Sequence, residues 1–80
     1  MINATDSKGT YYQLNNKKKL PIVFIHGVGL NHEIWEYQFN SFENTVLTYD
    51  ILGHGKTPIR DGKITFDDYS TQLLNLIDEL

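Results

Sequence analysis

An uninterrupted apolar and largely β-branched run, Ile22-Val23-Phe24-Ile25, begins after Pro21 and stops at His26-Gly27-Val28-Gly29. An apolar run this short, bounded by breakers, reads as a strand buried on both faces, the condition of a parallel sheet covered by helices. Pro21 suits the first residue of such a strand, where its missing N–H removes no ladder bond. The glycines that follow allow the backbone to approach a ligand or another segment closely. Open α/β sheets bind ligands at the carboxyl ends of their strands. The junction at His26 is therefore where chemistry is expected, and the other elements should pack around it.

Upstream, residues 1–9 are polar and read as a flexible N-terminus. Thr10-Tyr11-Tyr12-Gln13-Leu14 has strand propensity and Asn15-Asn16 marks a turn. Lys17-Lys18-Lys19 then lead into the apolar run, so residues 10–26 read as a β-hairpin with a polar tip. Downstream, Asn31 stands as a helix N-cap with Glu33 in the first turn, where negative charge suits the helix dipole. Leu30 and Trp35 occupy hydrophobic staple positions. Trp35, Phe39 and Phe42 recur at i, i+4 and i+7, an aromatic face for packing on a sheet. After Asn44, Thr45-Val46-Leu47-Thr48-Tyr49 reads as a second buried strand closed by Asp50. Strand, helix and strand make a βαβ unit, for which a right-handed crossover is expected. A glycine-punctuated loop runs from Ile51 to Pro58 and on through Arg60-Asp61-Gly62-Lys63. Thr65 and Asp68 are spaced as a capping box. The amphipathic helix they open has Phe66, Tyr69, Leu73, Leu76, Ile77 and Leu80 on one face, with Asp67, Gln72, Asn75 and Asp78 between them.

Composition narrows the function classes. Eighty residues make at most one small domain, which buries only about 60–65% of its unfolded surface. Seven basic against ten acidic residues leave a charge of −3, which argues against nucleic acid as a partner. The lysines at 17–19 hold few phosphates and read as a solvated turn. Without cysteine there is neither a disulfide framework nor a thiolate nucleophile, which fits a reducing compartment. The first residues lack the apolar core of a signal peptide and no apolar run approaches a membrane span. The expectation is a cytoplasmic protein with no membrane partner; the sequence leaves oligomeric state open.

Two segments hold candidate chemistry. Backbone N–H groups freed in His26-Gly27-Val28-Gly29 can point into a cleft and stabilise a developing oxyanion, although a plain strand-to-helix turn explains the segment equally well. In Asp50-Ile51-Leu52-Gly53-His54-Gly55-Lys56-Thr57, a carboxylate at a strand end can accept from the amides of the turn after it. The plainer reading makes Asp50 a turn former and His54 an exposed loop residue.

Together these segments resemble the N-terminal part of the α/β-hydrolase superfamily, in its esterase and enol-lactonase-like branch. The residues that carry the resemblance are His26-Gly27-Val28-Gly29, Trp35 nine positions after the histidine, the Asp-x-x-Gly-His-Gly-x-Thr run from Asp50 to Thr57, and Thr65-Phe66-Asp67-Asp68-Tyr69. It covers residues 10–80, read as one portion of a single domain. The resemblance implies an α/β fold with a β-hairpin, a βαβ unit and a further helix: the family's strands 2 and 3, helix A, strand 4 and helix B. The sheet is then incomplete, lacking the nucleophile strand. It further implies that the Val28 N–H is one oxyanion-hole donor, with His26 and Gly27 shaping the loop. Asp50, Gly53, His54 and Gly55 form a supporting loop.

The family's nucleophile sits in a Gly-x-Ser-x-Gly elbow on the strand after helix B, and its triad acid and histidine come later. None of Ser7, Ser41 and Ser70 lies in such an elbow. The chain is thus expected to carry half an oxyanion hole, no triad, no metal and no cofactor, and to be inactive alone. Its parent would hydrolyse small esters or lactones through an acyl-enzyme. The loop is not the Gly-Gly-Gly type of some lipases, and Val28 stands where haloalkane dehalogenases carry a halide-binding asparagine. In the family's sheet, strand 3 lies between strand 4 and the nucleophile strand, so the apolar run should show a bare edge here.

Three other readings fit parts of the chain. A Rossmann-type dinucleotide-binding half would use Gly27, Gly29 and Asp50, but its third glycine falls on His32. A metal site could draw on His26, His32, Glu33 or His54, although no i, i+4 histidine pair exists. A non-catalytic hydrolase-like remnant or binding module is the third.

Overall fold

The computed structural model describes residues 1–59 and 62–80. Its framework is a four-stranded sheet of β1 (Ile2–Thr5), β2 (Tyr11–Asn15), β3 (Lys19–Ile25) and β4 (Asn44–Tyr49), in the order β1-β2-β4-β3. β1 pairs antiparallel with β2, β2 antiparallel with β4, and β3 parallel with β4. Between β3 and β4 the chain makes a 3₁₀ turn (His32–Trp35) and the short helix α1 (Glu36–Phe39). A loop and the helix α2 (Phe66–Glu79) follow β4. This is the expected α/β architecture with its β3-α1-β4 unit. Of the loop predicted through residue 63, Arg60 and Asp61 lie outside the described residues. No helix among the described residues is long and apolar enough to cross a membrane.

Alternation along the strands assigns the two faces. Leu47 and Tyr49 of β4 form the core with Ile51 and Leu76, joined by Tyr12, Leu14, Val23, Tyr69 and Leu73. On the other face Phe24 packs against Trp35 and Phe42, with ring centroids 4.8 and 5.8 Å apart. The aromatic stripe is therefore packing, as its spacing suggested. Because α1 ends at Phe39, Phe42 reaches the sheet from the segment beyond the helix. Asn31 caps the 3₁₀ turn by accepting from the Glu33 N–H at 2.8 Å. Thr65 and Asp68 close a full capping box on α2.

Several expectations need correction. Residues 1–9 are not loose: residues 2–5 form β1, and Asp6 organises the turn after it. The Asp6 carboxylate accepts from the N–H groups of Lys8 and Thr10 at 3.0 and 2.8 Å, so its polarity is turn chemistry. The hairpin is accordingly β1–β2, and residues 10–26 do not form one. β4 inserts between β2 and β3, and the Lys17 N–H donates to Thr45 Oγ1 at 2.8 Å as the chain crosses the start of β4. Pro21 is the third residue of β3, inside a register shift between Lys19 and Ile22, where a bulge tolerates its missing donor.

The strand buried on both faces is β4, not the apolar run. Thr45 to Tyr49 are all buried, whereas Leu20 and Ile25 of the edge strand β3 are 81% and 49% exposed. Helix α2 also departs from its expected face. Leu76 is fully buried, but Phe66 is 89% exposed, and Gln72, read as outward, is buried.

On the face of the sheet that carries α2, Leu14, Pro21, Val23, Leu47, Ile77 and Leu80 line a cleft of about 440 Å³, and β3 stands at the edge of the sheet with no strand on its outer side among the described residues. An unpaired apolar edge is a template for association. Residues 1–80 in isolation are therefore expected to self-associate, giving concentration-dependent sedimentation and no cooperative melt. A monomer with a cooperative thermal transition would refute this.

Candidate functional site

The loops that leave the carboxyl ends of β3 and β4 meet beside the sheet, and Asp50 is where they are joined. Its side chain has no solvent exposure. Oδ1 accepts from the His32 backbone N–H at 2.7 Å and from His32 Nδ1 at 2.8 Å, and Oδ2 accepts from the Lys56 N–H at 2.8 Å. Burial alone would push this carboxyl up. The amides of Lys56 and His32, with the His32 imidazole, outweigh burial and hold it below its ordinary value of 3.8.

The Asp50 backbone is equally engaged. Its N–H donates to Tyr11 O at 3.0 Å, and its carbonyl accepts from Thr57 Oγ1 at 2.7 Å and Gln72 Nε2 at 3.0 Å. Gln72 also accepts from the Leu52 N–H at 3.0 Å, tying α2 to the loop. Gly55 lies directly under the carboxylate: a Cβ there, at φ +51, would sit 2.3 Å from Asp50 Oδ2.

Two histidines cross between the loops. The His26 ring, 3% exposed, bonds through Nδ1 to Gly27 O at 2.8 Å and through Nε2 to the Ile51 N–H at 3.0 Å. The His54 ring bonds through Nδ1 to Leu52 O and through Nε2 to the Gly29 N–H, both at 2.9 Å. A carbonyl only accepts and an amide only donates, so both rings are neutral and carry the proton on Nδ1. The rings lie 5.4 Å apart, centroid to centroid. Each loop thus offers a histidine that accepts one amide of the other.

Within the first loop, the Leu30 N–H donates to Gly27 O at 3.1 Å, a β-turn in which Gly29 holds φ +89. Positive φ at the third position is what a type II turn requires. Val28, second in that turn, is 78% exposed, and its N–H has no acceptor among the described residues. A cleft of about 380 Å³ opens beside it, lined also by Lys63, Ile64, Thr65, Phe66 and Tyr69. Gly53 belongs to the second loop, where its N–H donates to Pro58 O at 3.3 Å. A recess of about 440 Å³ against Tyr11, His32 and Lys56 includes none of residues 26–29.

The structure therefore places His26, Gly27, Val28, Asp50, Gly53, His54 and Gly55 in two adjoining loops, which His26 and His54 bridge. From the sequence, His32 stands only as a possible metal ligand, Thr57 as the end of a motif and Gln72 as a polar residue between apolar ones; none is assigned to the Asp50 network. Nothing local announces His32, whose partner is 18 residues away. Gln72 did have a signal: it lies three residues after Tyr69 and four before Leu76, inside the apolar stripe. Asp50 cannot serve a ribose, as the dinucleotide reading needs, because its carboxylate is buried and fully engaged. Both ring nitrogens of His26 and His54 are already hydrogen-bonded. No group of three or more metal-capable side chains occurs among the described residues.

Comparison with known proteins gives a consistent picture. The sequence model of the alpha/beta hydrolase family matches residues 22–80. The chain is 29% identical over 83 residues to 3-oxoadipate enol-lactonase 1 of Acinetobacter baylyi (strain ATCC 33305 / BD413 / ADP1), covering 100% of this chain and 31% of that protein. It is 36% identical over 64 residues to the non-heme chloroperoxidase CPO-A1 of Kitasatospora aureofaciens, covering 75% and 23%. The crystal structure of bromoperoxidase from Bacillus anthracis superposes with a TM-score of 0.77 at 30% identity, over 86% of this chain and 26% of that one. The chain thus spans less than a third of the length of these curated relatives.

The lowered pKa of Asp50 fixes the sign of its pH effect. A carboxyl lowered in the folded state contributes stability that is full above its unfolded value and is lost as pH falls through the native one. Gly55→Ala in the full-length protein should cost at least about 3 kcal/mol, by displacing the carboxylate and straining the backbone. Gly29→Ala, at positive φ but in open space, should cost only about 1–2 kcal/mol. Denaturant midpoints should show this gap near neutrality and a smaller one below the ordinary Asp range.

Proposed function

The chain belongs to the alpha/beta hydrolase family, and from that membership we propose that it is the N-terminal portion of one serine-type hydrolase domain acting on small carboxylic esters or lactones. The observation that carries the reading is the Val28 N–H. It is unpartnered among the described residues and exposed, beside a cleft, in a turn braced by His26 and His54.

An amide in that state is pre-organised to donate a hydrogen bond to a carbonyl oxygen on which charge develops, at no reorganisation cost during reaction. In the proposed mechanism a serine from a later segment passes its proton to a histidine and attacks the carbonyl carbon, and the oxyanion accepts from the Val28 N–H and from the amide after that serine. Collapse expels the alcohol, which takes its proton from a histidine, and water then releases the acid from the acyl-enzyme. His26 and Gly27 shape the donor turn, and Asp50, Gly53, His54 and Gly55 hold the loop against it. The similarity to an enol-lactonase supports lactones beside open esters as substrates. No Gly-x-Ser-x-Gly occurs in the 80 residues, so the isolated chain should be inactive.

The test uses the full-length protein with p-nitrophenyl acetate and a small aromatic lactone, and a serine-directed phosphonate as label. Hydrolysis and stoichiometric labelling are expected; failure of both would leave a non-catalytic hydrolase-like protein. Val28→Pro deletes the amide while keeping the turn, since proline suits the second position. It should lower kcat by about 10²–10³.

A further inference from the structure

We propose that His54 decides which backbone amide of the β3–α1 loop serves the oxyanion, engaging that of Gly29 and leaving that of Val28 free. The inference rests on the oxyanion reading above and names a positioning residue for it. Val28 and Gly29 present neighbouring N–H groups at the tip of one turn, and either is chemically able to donate to a substrate oxygen. Only one is available: the Gly29 N–H is bonded to His54 Nε2 at 2.9 Å, while the Val28 N–H has no acceptor among the described residues.

The His54 acceptor is itself held in place. Nδ1–H donates to Leu52 O at 2.9 Å, which fixes the tautomer and presents the Nε2 lone pair to Gly29. The residue's backbone closes two successive turns, its N–H donating to Ile51 O at 3.0 Å and its carbonyl accepting from Thr57 at 2.9 Å. Beneath it, His26 takes the Ile51 N–H, so the turn that carries His54 is tethered to β3. Position therefore passes from the strand, through His26 and Ile51, to His54, and from His54 to Gly29. The amide next along the chain is the donor.

His54 touches no reacting atom. Its removal should leave substrate binding in the cleft near Ile64, Phe66 and Tyr69 intact and loosen the donor. Misplacing a catalytic group by about 1 Å can cost about 100-fold. In the full-length enzyme, His54→Ala is expected to lower kcat by about 10- to 100-fold while KM stays within about two-fold, the pattern of a loss confined to the transition state. His54→Gln should recover kcat to within about five-fold, because its Oε1 accepts from Gly29 while its amide donates to Leu52. A second measurement needs no turnover: ¹⁵N NMR of the wild-type protein should show scalar coupling across the Gly29 N–H···Nε2 bond. An active enzyme whose His54→Ala variant keeps its kcat, or a missing coupling, overturns the role of His54 alone. A protein inactive on all substrates and unlabelled by phosphonate overturns the hydrolase reading and this one with it.

Discussion

A carboxylate removed from water must find its hydrogen bonds inside the protein, and Asp50 finds them in elements far apart in the chain. Its oxygens accept from the start of the segment after β3 and from the loop after β4. Its main chain bonds to β2, to Thr57 and to α2. Isolated ionised carboxylates are very costly to bury, and the cost is met only when partners are complete. Each element that supplies a partner is therefore constrained in position, and Gly55 stays without a side chain because the carboxylate occupies that space.

The candidate donor depends on this arrangement at one remove. Asp50 sets the loop after β4, the loop carries His54 and receives His26, and the two rings set the turn that exposes the Val28 amide. Scaffold and site share one hydrogen-bond network. A neutral imidazole suits the task, since it donates from one nitrogen and accepts at the other, joining a carbonyl of one segment to an amide of a second.

Much of this was legible in particular residues. Asn31, Thr65 and Asp68 announced helix starts, because capping is a local contest for amides that no distant contact needs to decide. The aromatic spacing from Trp35 to Phe42 announced a packed face. Other readings failed where a local pattern had two physical causes. The polarity of residues 1–9 suggests looseness, whereas Asp6 and Gly9 build a turn between paired strands. Ile22 to Ile25 read as a strand buried on both faces, yet apolarity records a tendency to bury and not the presence of neighbours. That run lies at the sheet edge, and among the described residues no strand pairs with its outer side.

Local propensity, breakers and capping determined that this chain alternates strands and helices and that a glycine-rich loop follows each of two strands. Those features act over a few residues and survive without a fold. Which strands pair, and what His32, Gln72 and His54 bond to, were decided by the tertiary structure alone. β4 enters between β2 and β3 although β3 is nearer to β2 in sequence, because only the sheet order brings the loops after β3 and β4 side by side. The partners of Asp50 range from Lys56 in the next loop to Tyr11 on β2, and no sequence period encodes hydrogen bonds across the longer of those separations.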